Sequence, residues 1–240
     1  MLWQEMKGLQ KIPMIFKLGL TAFLLIAGIG YLLGFANIWL TYSPVDQKPG
    51  LSIADIRVAF YGDRGLTKLE KSIDGGMKQY LASDADGAKI KDWIKAGATE
   101  SAFADIKTVF ATCDACHSKD AKTAGVVTED FQGVSALVVQ DTGKSIPRLV
   151  SISHTHVLAT LPVIFLLCLV FSFSLFSEAF KGTVIVFSFA SIVIDIGTWW
   201  LAKASGVLAV LVLIGGICLA ISFLALIVLS LYDIWLRKAQ

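Results

Sequence analysis

The 240-residue sequence predicts an all-α membrane protein, with four transmembrane helices and a small helical domain inserted between the first and the second. Three observations predict this fold class. Hydrophobic residues make up 55% of the chain and charged residues only 17%, whereas charged residues are about a quarter of a soluble domain. Four apolar stretches are each long enough for the roughly 20-residue helix that crosses a bilayer. The polar segment between the first two stretches shows helical spacing of its apolar residues.

The four apolar stretches place the predicted spans at residues 18–40, 157–176, 183–202 and 207–232. The first span follows three lysines, as the core of a signal peptide would. Its apolar run is about twice as long as a signal-peptide core of roughly 7–15 residues, and no small-x-small cleavage site follows it. We therefore expect it to be an uncleaved anchor.

Basic residues near the span ends predict the orientation in the membrane. They are Lys7, Lys11 and Lys17 before the first span, Lys181 between the second and third, and Arg237 and Lys238 after the fourth. An even number of spans places both termini on one side, and these charges make that side the cytoplasm. We expect a bacterial inner-membrane protein whose inserted domain faces the periplasm.

The predicted domains are an N-terminal tail and anchor helix at 1–41, the inserted domain at 42–153 and a three-helix transmembrane domain at 154–240. Helical spacing in the inserted domain covers residues 52–61, 66–81, 87–96 and 101–116. Ser145 and Pro147 have the order of an N-cap and a first-turn proline. A helix is therefore expected to begin near residue 146 and to continue into the second span.

Cys113, Cys116 and His117 form the pattern C-x-x-C-H, which is the attachment signature for haem c. Two thiols at this spacing suit thioether bonds to the two vinyl groups on one porphyrin edge, and the adjacent histidine suits an axial position on the iron. A disulfide or a thiol redox pair is the alternative, but neither needs the histidine. Cys168 and Cys218 stand alone in apolar runs and are predicted to be small buried side chains.

The surrounding sequence resembles a family of bacterial c-type cytochrome domains. The stretches IKDWIKAGA at 90–98 and FADIKTVFATCDACHS at 103–118 are similar to the W-I-x-x-G-A helix and the C-x-x-C-H-S haem site of that family. Asp141-Thr-Gly-Lys-Ser and Ser153-His-Thr-His-Val-Leu are similar to parts of its membrane-bound relatives.

The resemblance implies one covalent haem c, attached to Cys113 and Cys116, with His117 as the proximal ligand. In the common small soluble cytochromes the motif lies near the N-terminus and a later methionine is the second ligand. Here the motif ends the helical domain and no methionine follows it, which is the order seen in helical-bundle cytochromes.

The distal ligand of this haem has three candidates. Imidazole is a good haem ligand, and His154 is preferred over the alternatives His156 and Met77. Side chains at i and i+2 of a helix point about 200° apart, so only one of the two histidines can face the haem. The alternative is that both are ordinary residues of the membrane interface.

Asp195 is the one ionisable residue well inside a predicted span, and such residues are functional candidates because they are costly in a bilayer. It is predicted to lie near the depth of His156. One interpretation is that Asp195 accepts a proton from quinol while the haem accepts an electron. The alternative is a polar contact in helix packing, which Ser188 and Ser191 on the same face would favour.

Together these features predict a membrane-bound c-type cytochrome that transfers electrons at the periplasmic face, as a subunit of a larger respiratory or photosynthetic complex. The expected partners are the bilayer, other membrane subunits and a periplasmic redox partner. One alternative is a quinol dehydrogenase with its site near Asp195, in which quinol is a further partner. A second is a haem-based sensor, although the two short tails offer no output domain. A net charge of +2 gives no indication of nucleic-acid binding.

Overall fold

The structure is a computed structural model that describes residues 8–43, 50–121 and 123–238. All regular structure in these residues is helical. In chain order, the α-helices are α1 (Met14–Tyr42), α2 (Ile53–Phe60), α3 (Lys68–Asp74), α4 (Asp84–Lys95), α5 (Glu100–Ile106), α6 (Ala111–His117), α7 (Phe131–Ser135), α8 (Ile146–Ser172), α9 (Glu178–Ala204) and α10 (Ala209–Trp235). The all-α class is confirmed for this part of the chain.

The chain divides into two compact units. The intervening unit is Tyr42–Gly143, and the membrane unit combines Met1–Thr41 with Lys144–Gln240. The membrane unit contains four helices long and apolar enough to cross a bilayer, α1, α8, α9 and α10, and this confirms the predicted number of spans.

Helix α8 begins where the sequence predicts it. The Ser145 side chain accepts a hydrogen bond from the backbone N–H of Arg148, and Pro147 lies in the first turn, where its missing N–H costs nothing. The helix ends at Ser172, before the predicted end at 176, because a turn at Phe173 and Ser174 leads directly to α9.

Helices α8, α9 and α10 pack around a core that includes Leu167, Phe171, Ile192, Phe223 and Leu226. Between α9 and α10 the contact is close and polar. The Ser222 hydroxyl donates to the Ser191 hydroxyl over 3.1 Å, and a Cβ at Gly215 would lie 2.7 Å from the Cα of Asp195. Small residues allow this approach of two backbones, as in other membrane helix pairs.

Helix α1 packs through one side only. Leu24 is fully buried, the Tyr31 ring stacks on Phe223 with centroids 4.5 Å apart, and the Trp235 indole donates to the Thr21 hydroxyl over 2.9 Å. Leu20, Phe23 and Ala27 are partly buried on the same side, and most other apolar side chains of α1 are exposed, as suits a helix surrounded by lipid.

The intervening unit packs α3 to α7 around one apolar core. Its fully or nearly buried members are Leu69, Ile73, Ile90, Trp93, Phe103, Phe110 and Val134. The Trp93 indole also donates to the backbone carbonyl of Thr99 over 3.1 Å, so its buried N–H is satisfied.

Two of the predicted helices of this unit are shorter than expected. The helix predicted at 66–81 ends at Asp74, because Gly75 and Gly76 follow, and a 3-10 turn comes after them at Lys78–Tyr80. The helix predicted at 101–116 is divided into α5, a 3-10 turn at Lys107–Phe110 and α6.

The start and the end of the intervening unit meet at two glycines. Gly62 has φ +94° and Gly143 has φ +67°, and a Cβ on either would collide with backbone of the other segment. The buried Asp141 carboxylate holds the junction, because it accepts from the N–H of Asp63 over 2.8 Å and from that of Gly143 over 2.9 Å.

Candidate functional site

Helix α6 presents the three residues of the C-x-x-C-H motif. Cys113 and His117 are one helical turn apart on one face, and Cys116 precedes His117 directly. Cys113 is half-buried against the core of the intervening unit, Cys116 is exposed, and both are free thiols. Fully buried Phe110 immediately precedes the helix and fixes its start on that core.

The orientation of the His117 ring is fixed by a backbone carbonyl. Its Nδ1 lies 3.1 Å from the carbonyl oxygen of Thr123. Because a carbonyl can only accept, Nδ1 is the donor in this contact, and the tautomer with the proton on Nδ1 has its lone pair on Nε2. A histidine that donates through one ring nitrogen in this way has the tautomer and orientation of a metal ligand through the other.

The segment after the motif folds back on α6. The backbone N–H of Thr128 donates to the His117 carbonyl over 2.9 Å, and the Thr128 hydroxyl donates to the Asp114 carboxylate over 2.7 Å. Further along, the Lys119 N–H donates to the Glu129 carboxylate over 2.9 Å. These contacts hold the Thr123 carbonyl against the imidazole.

The electrostatics of Cys113 do not favour a redox thiol pair. Burial raises the pKa of the Cys113 thiol, and the neighbouring Asp114 carboxylate adds to that rise against a hydrogen bond from Thr112. Reactive thiols have a lowered pKa, because the thiolate is the nucleophile. The Cys113 thiol therefore lacks the lowered pKa of a reactive redox thiol.

A haem fits this donor set. Among the described residues no three His, Cys, Asp or Glu side chains converge to hold a bare metal ion. A porphyrin supplies four nitrogen ligands itself, so the protein needs only one or two axial ligands and, for haem c, two thiols. The exposed Cys116, half-buried Cys113 and the lone pair of His117 meet this requirement on one short helix.

The candidates for the distal ligand differ in their surroundings. Met77 belongs to the intervening unit and is 40% exposed, and His154 is an exposed residue of α8. His156 is already engaged within the membrane unit, because its Nε2 lies 3.6 Å from the Asp195 carboxylate. Of the two other cysteines, Cys168 is buried as predicted and Cys218 is only half-buried.

His156, Asp195 and Trp199 form a cluster between α8 and α9. The Asp195 side chain is 7% exposed and that of His156 is 42% exposed. The Trp199 ring lies 5.0 Å from the imidazole, centroid to centroid, at 60°, and its side chain hydrogen-bonds to the Asp195 carboxylate. One residue further along α9, the Trp200 indole donates to the Ser153 hydroxyl over 3.2 Å.

A second buried carboxylate, missed in the sequence, lies at the other end of α10. Asp233 is completely buried and accepts from the backbone N–H groups of Leu9 and Leu175 over 3.0 and 3.1 Å. Arg237 approaches the same carboxylate at 3.4 Å. The predicted span ended at residue 232, and the backbone donors of two distant segments leave no pattern in the sequence.

Comparison with known proteins yields one match. Residues 127–240 match the model of the Aq_1264_TM family, a transmembrane helical domain. The match includes α7 to α10, and so His154, His156 and Asp195, but not the C-x-x-C-H motif. No curated protein and no solved structure matches the chain.

Proposed function

We propose that this chain is a membrane-anchored c-type cytochrome, which transfers electrons through one covalent haem as a subunit of a larger respiratory or photosynthetic complex. The observation that carries the proposal is the contact of His117 Nδ1 with the Thr123 carbonyl within the C-x-x-C-H motif. The contact between Nδ1 and the Thr123 carbonyl leaves Nε2 available to iron, directly after two thiols at the spacing of haem c attachment.

The residues of α6 would divide the work as follows. The Cys113 and Cys116 sulfurs would each hold the haem through one thioether bond. His117 would bind the iron through Nε2, and its contact with the Thr123 carbonyl would hold the ring in that orientation. A bound haem c supplies a one-electron Fe(III)/Fe(II) couple.

Topology supports the same proposal. Haem c is attached outside the cytoplasm, and the lysines and arginines beside the spans independently favour a periplasmic position for the segment that carries the motif. We therefore propose the bacterial inner membrane as the location, with both termini in the cytoplasm.

His154 remains the preferred distal ligand, with Met77 as the alternative. The contact of His156 with Asp195 makes it the weaker choice, because ligation would require that pair to separate. Replacement of His154 by Ala should shift the visible and electron paramagnetic resonance spectra of the oxidised protein, whereas Met77→Leu should leave both spectra unchanged.

The test of the proposed function is expression of the full chain in a bacterium with an active haem c maturation system. The purified protein should keep its haem after denaturation and electrophoresis, and its mass should exceed that of the polypeptide by one haem. The double variant Cys113→Ala/Cys116→Ala should lose the bound haem completely.

The double variant Cys168→Ala/Cys218→Ala is the matched control, because it removes the same number of thiols from the membrane unit. It should keep one haem per chain. A native chain without covalent haem in cells that mature another c-type cytochrome would contradict the proposal, as would haem retention by the Cys113/Cys116 variant.

A further inference from the structure

The cluster of His156, Asp195 and Trp199 lies deep within the membrane-spanning helices. From the lipid, only a membrane-soluble ligand can reach it. At 1.5 Å per residue, His156 is about 15 Å from the Ile146 end of α8, and Asp195 is about 14 Å from the Ala204 end of α9. Both lie inside helices that are long and apolar enough to span a membrane. An ionisable pair at such a position is costly and calls for a specific role.

Helix packing alone does not account for this pair. The contact between α9 and α10 is already made by neutral groups, since Ser191 and Ser222 hydrogen-bond to each other and Gly215 lies against the Asp195 backbone. His156 instead reaches Asp195 from α8 and keeps 42% of its side chain exposed. A purely structural contact would gain nothing from that exposure.

The distance within the pair leaves room for a third polar atom. Nε2 of His156 and Oδ2 of Asp195 are 3.6 Å apart, which is longer than a hydrogen bond. One hydroxyl oxygen can lie about 2.8 Å from both atoms, because the three then form an ordinary triangle of hydrogen-bond contacts. The indole of Trp199, beside the imidazole, offers a flat apolar surface for a ring that carries such a hydroxyl.

We propose that His156, Asp195 and Trp199 bind the headgroup of a membrane quinol, with one quinol hydroxyl held between His156 Nε2 and Asp195 Oδ2. This inference rests on the proposed function, which requires an electron donor. A quinol is soluble in lipid and can therefore reach a site at this depth. Its flat ring can pack on the Trp199 indole, and its hydroxyl can give up a proton to the acid–base pair.

Oxidation of one quinol to quinone breaks two O–H bonds and releases two protons and two electrons. The bound hydroxyl accepts a hydrogen bond from His156 Nε2–H and donates its own hydrogen to Asp195 Oδ2, so its proton passes to the Asp195 carboxylate. That proton then leaves to water, and the second hydroxyl, on the opposite side of the ring, releases its proton to water as well. The two electrons leave one at a time and are taken up by two equivalents of ferric c-type haem.

Binding is tested first, because it does not depend on haem. The full chain in lipid nanodiscs is titrated with decylubiquinone and with a short-chain menaquinone, and a photoreactive derivative of the better ligand is cross-linked and mapped by mass spectrometry. Cross-links are expected on the α8 and α9 peptides that contain His156 and Trp199. His156→Ala should weaken binding about tenfold or more, as expected for one lost hydrogen bond to a polar group.

Asp195→Asn separates proton transfer from binding. This nearly isosteric variant should change the affinity less than threefold, while the rate of haem reduction by the matching quinol falls about 100-fold, the lower range for loss of an acid–base group. Ser191→Ala is the matched control on α9 and should change neither value. Circular dichroism and gel filtration establish that each variant is folded.

Unchanged binding and unchanged rate in both His156→Ala and Asp195→Asn would overturn the inference, as would cross-links confined to other helices. A chain that carries haem but binds neither quinone would refute the quinol site alone. A chain that binds quinone but carries no haem would refute the proposed function alone.

Discussion

Asp195 and Asp233 are both buried carboxylates of the membrane unit, yet their surroundings are opposite. Asp233 is completely buried and accepts two backbone N–H groups as well as facing Arg237. The Asp195 carboxylate instead interacts with the side chains of His156 and Trp199 and, electrostatically, with Tyr31. The first arrangement ties chain segments together, whereas the second leaves an acid beside a base with one side open.

The kind of hydrogen-bond donor that a buried carboxylate accepts from therefore indicates whether its role is structural or chemical. Backbone donors are fixed by the fold, so a carboxylate that satisfies them cannot give them up without loss of stability. Side-chain donors can turn away or exchange with a ligand.

The largest effect is expected for Asp233→Ala. It leaves the N–H groups of Leu9 and Leu175 buried without an acceptor and Arg237 without its partner. We expect a loss of about 3–5 kcal/mol in the free energy of unfolding, the usual range for breaking a buried charged contact. Denaturation of the detergent-solubilised chain, followed by circular dichroism, measures it. Arg237→Ala is the control and should cost far less, because its side chain is 30% exposed; equal losses would refute the assigned role of the backbone donors.

A smaller loss is expected where the backbones of α9 and α10 meet at Asp195. In Gly215→Val the new Cβ would be 2.7 Å from the Asp195 Cα and 3.0 Å from the Thr198 hydroxyl, so the helices must move apart. We expect a cost of about 1–3 kcal/mol, as for other overpacked sites. Gly197→Ala on α9 meets nothing within 4 Å and should be neutral or slightly stabilising. The same denaturation assay applies, and comparable effects of the two substitutions would contradict the close approach.

Asp141 extends the comparison to the intervening unit, because it too accepts two backbone N–H groups. In Asp141→Asn one acceptor oxygen becomes an NH₂ group that faces a donor. We expect a loss of about 1–2 kcal/mol in local stability, the cost of one unsatisfied buried donor. Hydrogen exchange of the peptides that contain Asp63 and Gly143 should speed up, while exchange in α9 stays unchanged. Uniform acceleration across both units would show that the effect is not local.

A functional site can be predicted from sequence when its residues are close together in the chain. Cys113, Cys116 and His117 follow one another, so their spacing alone predicts the chemistry. The depth of His156 and Asp195 could also be estimated from helix length, but their contact depends on the rotation of α8 against α9, which packing decides. The role of Thr123 could not be predicted, because any residue type supplies a carbonyl.

The same reason explains the errors within the fold. The four spans and the start of α8 follow from long apolar runs and a clear N-cap, which are local signals. The helix ends at Asp74 and Ser172 are set by the turns that follow them. The apolar pattern in the sequence continues past both residues and therefore predicted longer helices. The role of Asp233 could not be predicted, because its partners are main-chain groups far away in sequence.

The smallest effect on stability is expected for Asp195→Asn, and it decides the comparison. The amide oxygen can still accept from Trp199, and no buried backbone donor loses its acceptor. We expect the free energy of unfolding to change by less than about 1 kcal/mol, as for substitutions that break no buried network. Denaturation beside Asp233→Asn, which makes the same chemical change, provides the matched control and should show the greater loss. If Asp195→Asn lowered the free energy of unfolding as much as Asp233→Asn, the Asp195 carboxylate would have a structural role like that of Asp233. The exposure of His156 would then be no evidence for a binding site.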